Sequence, residues 1–188
     1  MKRNLPRCGV AAAAAGAVAF GLVGGPAASA GGSAGSAQEE PATIKMKFNG
    51  KRFSFAGPTE VAAGQQLKIL NTTKPRKVGP HTFSLVEESL LPATRKARKG
   101  CFAPGKICMD IAVAHKVNFK TEKVNKPVVK AGAAGWNRMF TKNAEGDSWF
   151  TVKLGASFSQ KVTAEAGTTL TYLCAIHPEM QGRIEVVE

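Results

Sequence analysis

Short runs of period-two alternation, repeatedly cut by turn residues, constrain this chain more than any other feature. Ile44, Met46 and Phe48 alternate with Lys45 and Lys47, and the spacing recurs at Phe53 and Phe55, Leu67 and Ile69, and Phe83 and Leu85. It returns at Trp149–Leu154, Phe158–Val162, Leu170–Cys174 and Ile184–Val186. A period of two puts successive side chains on opposite faces, so each run reads as a strand with one buried face. Asn49-Gly50, Gly57-Pro58, Ala63-Gly64, Gly155 and Ala166-Gly167 stand between the runs as turn signals. Eight short strands with frequent turns predict an antiparallel β-sandwich. With 188 residues, 44% of them apolar, there is material for one ordinary core. A polytopic membrane protein, a disordered tail and a disulfide-stapled miniprotein are excluded on the same grounds.

The N-terminus reads as an export signal. Lys2, Arg3 and Arg7 precede an apolar run from Gly9 to Val23, and Ala28-Ser29-Ala30 supplies a small-residue cleavage pattern. Residues 1–30 are therefore expected to be a secretory signal peptide, and the protein to be secreted or extracytoplasmic, in a periplasm or at a cell surface. An uncleaved anchor is the other reading, but the run is short for a span and ten of its 15 residues are Ala or Gly. Cys8 precedes the apolar run, where no lipoprotein cysteine stands. Residues 31–41, rich in Gly, Ser and Ala, have the composition of a flexible tether. Three of the 26 basic residues and none of the 13 acidic ones lie in the leader, so cleavage leaves 23 against 13, a formal +10.

The mature chain keeps Cys101, Cys108 and Cys174. An odd cysteine in an oxidising compartment needs a reason. Cys101 and Cys108 flank a turn at Pro104-Gly105 and most simply pair with each other, leaving Cys174 over. A reducible Cu(I) site built from Cys101, Cys108 and Met109 is the competing reading. Both cysteines fall in a stretch at about 87–147 that breaks the strand rhythm. It carries the basic run Arg95, Lys96, Arg98 and Lys99, a possible helical turn from Cys108 to Lys116, and a Gly/Ala-rich piece before Trp136. We read it as one long, partly irregular or helical insertion into a domain spanning 42–188.

The chemistry concentrates near the C-terminus, in Cys174-Ala175-Ile176-His177-Pro178-Glu179-Met180. A thiolate, an imidazole and a thioether at three-residue spacing surround one tight loop between two expected strands. Thiolate and thioether favour Cu(I), imidazole accepts both oxidation states, and a trigonal His₂Cys set with a weak axial Met suits electron transfer. The loop holds one imidazole, and His81, at the start of an expected strand, is the natural second. Only His81, His115 and His177 occur, so a multinuclear centre cannot be built. His115 lies four residues after Ile111 and reads as a core or surface histidine rather than a ligand.

With these residues in view, the sequence resembles the blue (type 1) copper proteins, or cupredoxins, over roughly residues 42–86 and 148–188. The C-x2-H-x2-M loop is most similar to that of amicyanin-like members, plastocyanin-like ones having a longer gap from His to Met. The resemblance implies an eight-stranded Greek-key sandwich, one copper per chain cycling between Cu(II) and Cu(I), imidazole ligands at His81 and His177, the thiolate at Cys174 and the axial thioether at Met180. Three departures stand out. Thr82 occupies a position where Asn is common, Glu179 one that is commonly apolar, and 93 positions separate His81 from Cys174.

A secreted one-electron carrier, not an enzyme, is the function expected. The alternative is an extracytoplasmic copper-binding module for storage, delivery or sensing; an enzyme needs a second metal centre. Zinc accepts the same groups, although structural zinc prefers four Cys or His ligands, and a buried thiol beside an incidental His and Met is the reading without a metal. The expected partner is a redox protein, its docking face acidic to match the basic excess, with the chain itself a monomer. Anionic lipid headgroups are a further target for the run at Arg95–Lys99. Nucleic acid is not expected, since the basic residues are not interleaved with stacking aromatics.

Overall fold

A computed structural model describes residues 40–188. The signal peptide expected at 1–30 and nearly all of the tether at 31–41 lie outside the described residues. The described chain runs β1 (Ala42–Phe48), β2 (Phe53–Ala56), β3 (Glu60–Ala62), β4 (Gln66–Asn71), α1 (Pro75–Val78) and β5 (His81–Leu85). A 3-10 turn at Glu88–Leu90, α2 (Arg95–Lys99), α3 (Ile107–Ala114), β6 (Val117–Asn118), β7 (Lys123–Val124) and β8 (Val128–Val129) follow. The chain closes with β9 (Ser148–Thr151), β10 (Ser157–Lys161), β11 (Thr169–Leu173) and β12 (Gln181–Val187). All eight strands expected from the alternation are present.

The strands form two packed sheets, ordered β10-β4-β1-β2 and β3-β12-β11-β5-β9-β8, with β6 and β7 a separate hairpin. This is an all-β, cupredoxin-like sandwich. Alternation builds it directly: Ile44 and Met46 of β1 and Leu67 and Ile69 of β4 point inward and are fully buried, while Lys45 and Lys47 are exposed. The first hairpin is capped by Asn49, whose Oδ1 accepts from the backbone N–H of Lys51 and Arg52 at 3.0 and 2.8 Å. The sandwich is not purely antiparallel, which corrects one expectation. β1 pairs with β4, and β3 with β12, in parallel, Ile44 opposite Ile69 and Val61 opposite Val186. The cause is the path of the chain. After β2 it crosses to the other sheet as β3 and comes back as β4, and a strand that returns this way can lie beside its predecessor in the same direction.

The segment between β5 and β9 builds a third layer. Ile107, Cys108, Ile111 and Ala114 of α3 pack with Val86, Val129, Phe140, Leu173 and Ala175 into a second buried cluster. Tyr172 and Cys174 belong instead to the main core between the sheets, so alternate residues leaving β11 face the two cores in turn. Cys101 and Cys108 form a disulfide that pins the turn after α2 to α3. Thr94 caps α2, its hydroxyl accepting from Ala97 N–H at 3.1 Å. The tail of this segment enters the sandwich: β8 extends the six-stranded sheet beside β9, and Trp136 is fully buried with Nε1 donating to the Leu67 carbonyl at 3.1 Å. The result is that β5 and β9 are buried on both faces, every residue of each being inaccessible or nearly so.

Candidate metal centre

His81 opens β5 at the end of the six-stranded sheet, where Gly79, with φ of +81°, turns the chain out of α1. A left-handed backbone there suits glycine and few other residues. Cys174 follows β11 directly, and the loop it begins is closed by its own backbone: Cys174 N–H donates to the Met180 carbonyl at 2.9 Å and Met180 N–H to that of His177 at 2.8 Å. Gln181 braces the exit, Nε2 donating to the carbonyls of Pro178 at 2.6 Å and Pro92 at 3.2 Å. Thr82 ties the loop to β5. Its N–H donates to Cys174 Sγ at 3.3 Å, and its hydroxyl accepts from Ala175 N–H at 2.8 Å.

Three donor atoms converge as a result. Nδ1 of His81 and Nδ1 of His177 are 3.2 Å apart, and Cys174 Sγ is 3.8 and 3.7 Å from them. The point equidistant from the three lies about 2.1 Å from each, within the roughly 2.0–2.3 Å of bonds from His nitrogen and Cys sulfur to a first-row divalent ion. A trigonal N₂S set of this kind fits copper. His81, Cys174 and His177 are thus brought together, as the loop spacing suggested. Met180 is fully buried in the same cluster as Cys174. His115, also fully buried, lies away from the group, Nδ1 at 2.6 Å from the Lys126 carbonyl.

The electrostatics favour ligation over protonation. Burial, with the neighbouring His177, lowers His81 from 6.5 to about 4, so its imidazole is neutral near pH 7 and one ring nitrogen keeps a lone pair for a metal. Burial also lowers His177, against the Glu179 carboxylate and the Val78 backbone, which raise it. Burial raises the Cys174 thiol, opposed by hydrogen bonds from the backbone of Thr82, His177 and Ile176 and from the Thr82 side chain. A fully buried thiol loses its proton only to a cation that replaces the charge. His81 Nε2 is buried without a hydrogen-bond partner.

His177 reaches toward the surface between two flanks. On one side Phe53 stacks on its ring, centroids 3.8 Å apart at 26°, and Phe48 stacks on Phe53 at 4.5 Å. Lys74, Lys77 and Val78 line the same recess. On the other side Ile176, Pro80, Phe102, Met109 and Phe119 line an apolar groove between the ligand loop and the α3–β6 region. The contact of Phe53 with His177 could not be read from the sequence, where Phe53 is one apolar residue among several at period two.

Fold and ligand group together define a cupredoxin-like protein. No protein-family model matches the sequence, and no curated protein does. Solved structures similar to this chain include a purple cupredoxin from Nitrosopumilus maritimus, 14% identical over 77% of this chain and 98% of its own, with a TM-score of 0.40. A dithionite-reduced auracyanin from Roseiflexus castenholzii is 16% identical over 78% and 98%, at 0.37. Auracyanin A, a blue copper protein from Chloroflexus aurantiacus, is 20% identical over 78% and 98%, at 0.38. The cupredoxin-like assignment rests on the strand order and the converging donors, not on likenesses of this size.

Proposed function

We propose that the protein is a type 1 copper protein that carries single electrons outside the cytoplasm, with His81, Cys174 and His177 as the trigonal ligands and Met180 as the axial one. One observation carries this reading: two imidazole nitrogens and a thiol sulfur meet around a single point at metal-bond distance. Copper bound there supplies a one-electron couple. The chain's own residues do the rest. His81 and His177 present neutral imidazoles, the short-circuited 174–180 loop holds Cys174 and His177 in fixed register, and the two sheets keep water from the sulfur. His177, half-buried, offers the edge nearest a partner. Lys74 and Lys77 beside it, with the basic excess of the chain, support a redox partner with an acidic face. The disulfide between Cys101 and Cys108 supports an oxidising compartment. Among the described residues no helix is long and apolar enough to cross a membrane.

The test is an absorption and electron paramagnetic resonance titration of the metal-free chain with Cu(II). An intense sulfur-to-copper band saturating at one equivalent, with narrow copper hyperfine splitting, is expected, and Cys174→Ala abolishes both. A colourless tetragonal spectrum refutes the carrier and leaves a module for copper storage, delivery or sensing; an unchanged spectrum in Cys174→Ala refutes the ligand assignment.

A further inference from the structure

The backbone of the ligand loop fixes where His177 stands but not how its ring is turned. Met180 N–H donates to the His177 carbonyl at 2.8 Å, and Pro178 follows His177 directly. The torsion that turns an imidazole about its Cβ–Cγ bond is broad, so neither restraint sets the plane of the ring. His81 has no exposed surface, whereas His177 is only half-buried. Whatever keeps Nδ1 of His177 3.2 Å from Nδ1 of His81 must therefore press on the ring itself.

Phe53 supplies that pressure. Its ring lies against that of His177, centroids 3.8 Å apart and planes 26° from parallel, and it meets His81 edge-on at 5.7 Å. Phe53 is itself held in place. It stands opposite Phe48 in the β1–β2 register, and the two rings stack at 4.5 Å and 28°. Asn49 closes the hairpin directly after Phe48, its side chain accepting from the backbone of Lys51 and Arg52. The Cε1 edge of His177 lies beside Gly79, where a Cβ would stand 3.9 Å away. A half-turn of the imidazole exchanges Nδ1 for Cδ2 and takes the ring through an edge-on position. With Phe53 in stacking contact, that path runs into the phenyl face.

We propose that Phe53 is a positioning residue for the metal centre: stacked on His177 and backed by Phe48, it holds the imidazole in the plane that aims Nδ1 at the point shared with His81 and Cys174. This rests on the copper reading of the site. Phe53 contributes no ligand atom and acts through His177 alone. Of the three converging donors only His177 has appreciable exposed surface, so it is the one with room to swing away, and a ligand that swings away opens the site to loss of the ion. An aromatic pair of this kind shifts an equilibrium by roughly two- to tenfold, which sets the size of the effect. Leucine at position 53 keeps an apolar cover without the flat face, and tyrosine keeps the face. Phe55 serves as the control. It lies two residues on in the same strand and packs edge-on against Phe83 and Tyr172, at 5.8 and 5.0 Å.

Two measurements on the full chain test this. In the metal-free protein, proton magnetic resonance should find the ring hydrogens of His177 moved upfield by the ring current of Phe53, and Phe53→Leu should remove the displacement. Its absence from the wild type overturns the proposal whatever the metal. In the chain loaded with one equivalent of Cu(II), copper loss to an added chelator is followed through the sulfur-to-copper band. The rate should rise roughly two- to tenfold in Phe53→Leu, return to the wild-type value in Phe53→Tyr, and stay unchanged in Phe55→Leu. An unchanged rate in Phe53→Leu, no recovery in Phe53→Tyr, or an equal rise in Phe55→Leu, the mark of a general loosening of β2, overturns the proposal. A wild-type chain that shows the displaced His177 signals but no sulfur-to-copper band refutes the copper reading first, and the positioning role with it.

Discussion

Replacing His115 by Phe should flatten the acid limb of the stability curve. His115 titrates at 6.5 when unfolded and at about 4 when folded, chiefly because burial disfavours its cation. Between those values the unfolded chain holds a proton that the folded chain does not, so folding weakens as the pH falls. The contribution is whole above about pH 6.5, is lost progressively on the way down, and stops changing below about pH 4, where both states are protonated. Full linkage across that interval amounts to about 3 kcal/mol. Urea unfolding of metal-free wild type and His115→Phe, followed from about pH 7 to about pH 4, measures it. Phe leaves the Lys126 carbonyl and the Ser148 hydroxyl, 2.6 and 2.7 Å from the two ring nitrogens of His115, short of a partner, an offset of about 1–3 kcal/mol that does not vary with pH. His81 and His177 titrate in both proteins, so the narrowing of the gap between the two curves belongs to His115. Curves that stay parallel throughout refute a neutral, buried His115.

Three further outcomes follow from the structure. Met180→Gln should keep one equivalent of copper and lower its reduction potential, measured by redox titration; an unaltered potential means the thioether is not axial. Cys101→Ser with Cys108→Ser should leave the copper spectrum nearly intact while costing about 2–3 kcal/mol, read from urea midpoints, since only a short loop is released; loss of copper from a folded variant would place those sulfurs in a metal site. Gly182 faces Tyr172 across β11 and β12, and a Cβ there would lie 2.5 Å from the ring. Gly182→Ala should therefore destabilise by about 1–3 kcal/mol through overpacking, and an unchanged melting temperature would count against this register.

Much of the sandwich was legible because period two survives wherever one face is buried. β3 was not, as three residues are too few for a pattern, and direction was not, since alternation looks the same in parallel and antiparallel strands. The ligand loop was legible because three donor types fall within seven residues, and His81 because so few histidines compete. Trp136 is the large apolar side chain that signals entry into the core, yet the Gly/Ala-rich residues before it read as a loop. Ser84 and Ser148, whose buried hydroxyls lie 2.6 Å apart, were missed for a physical reason. In a two-layer sandwich the polar alternates of β5 and β9 face water, and only the layer around α3 turns Thr82, Ser84 and Ser148 into buried groups. Nothing in the local pattern of β5 reports that a segment some 30 residues away will cover it.

That cover also changes how these positions can drift. Exchanging Ser84, Ser148 or His115 alone strands a buried donor or acceptor at about 1–3 kcal/mol, a sizeable share of the roughly 5–15 kcal/mol that keeps a domain folded. Exchanging them together for apolar residues of like shape can be nearly neutral. The outer face of the sheet, which without its cap would be open to free substitution, thus becomes a set of residues passed on or lost as one block, with its fate tied to that of the segment that covers it.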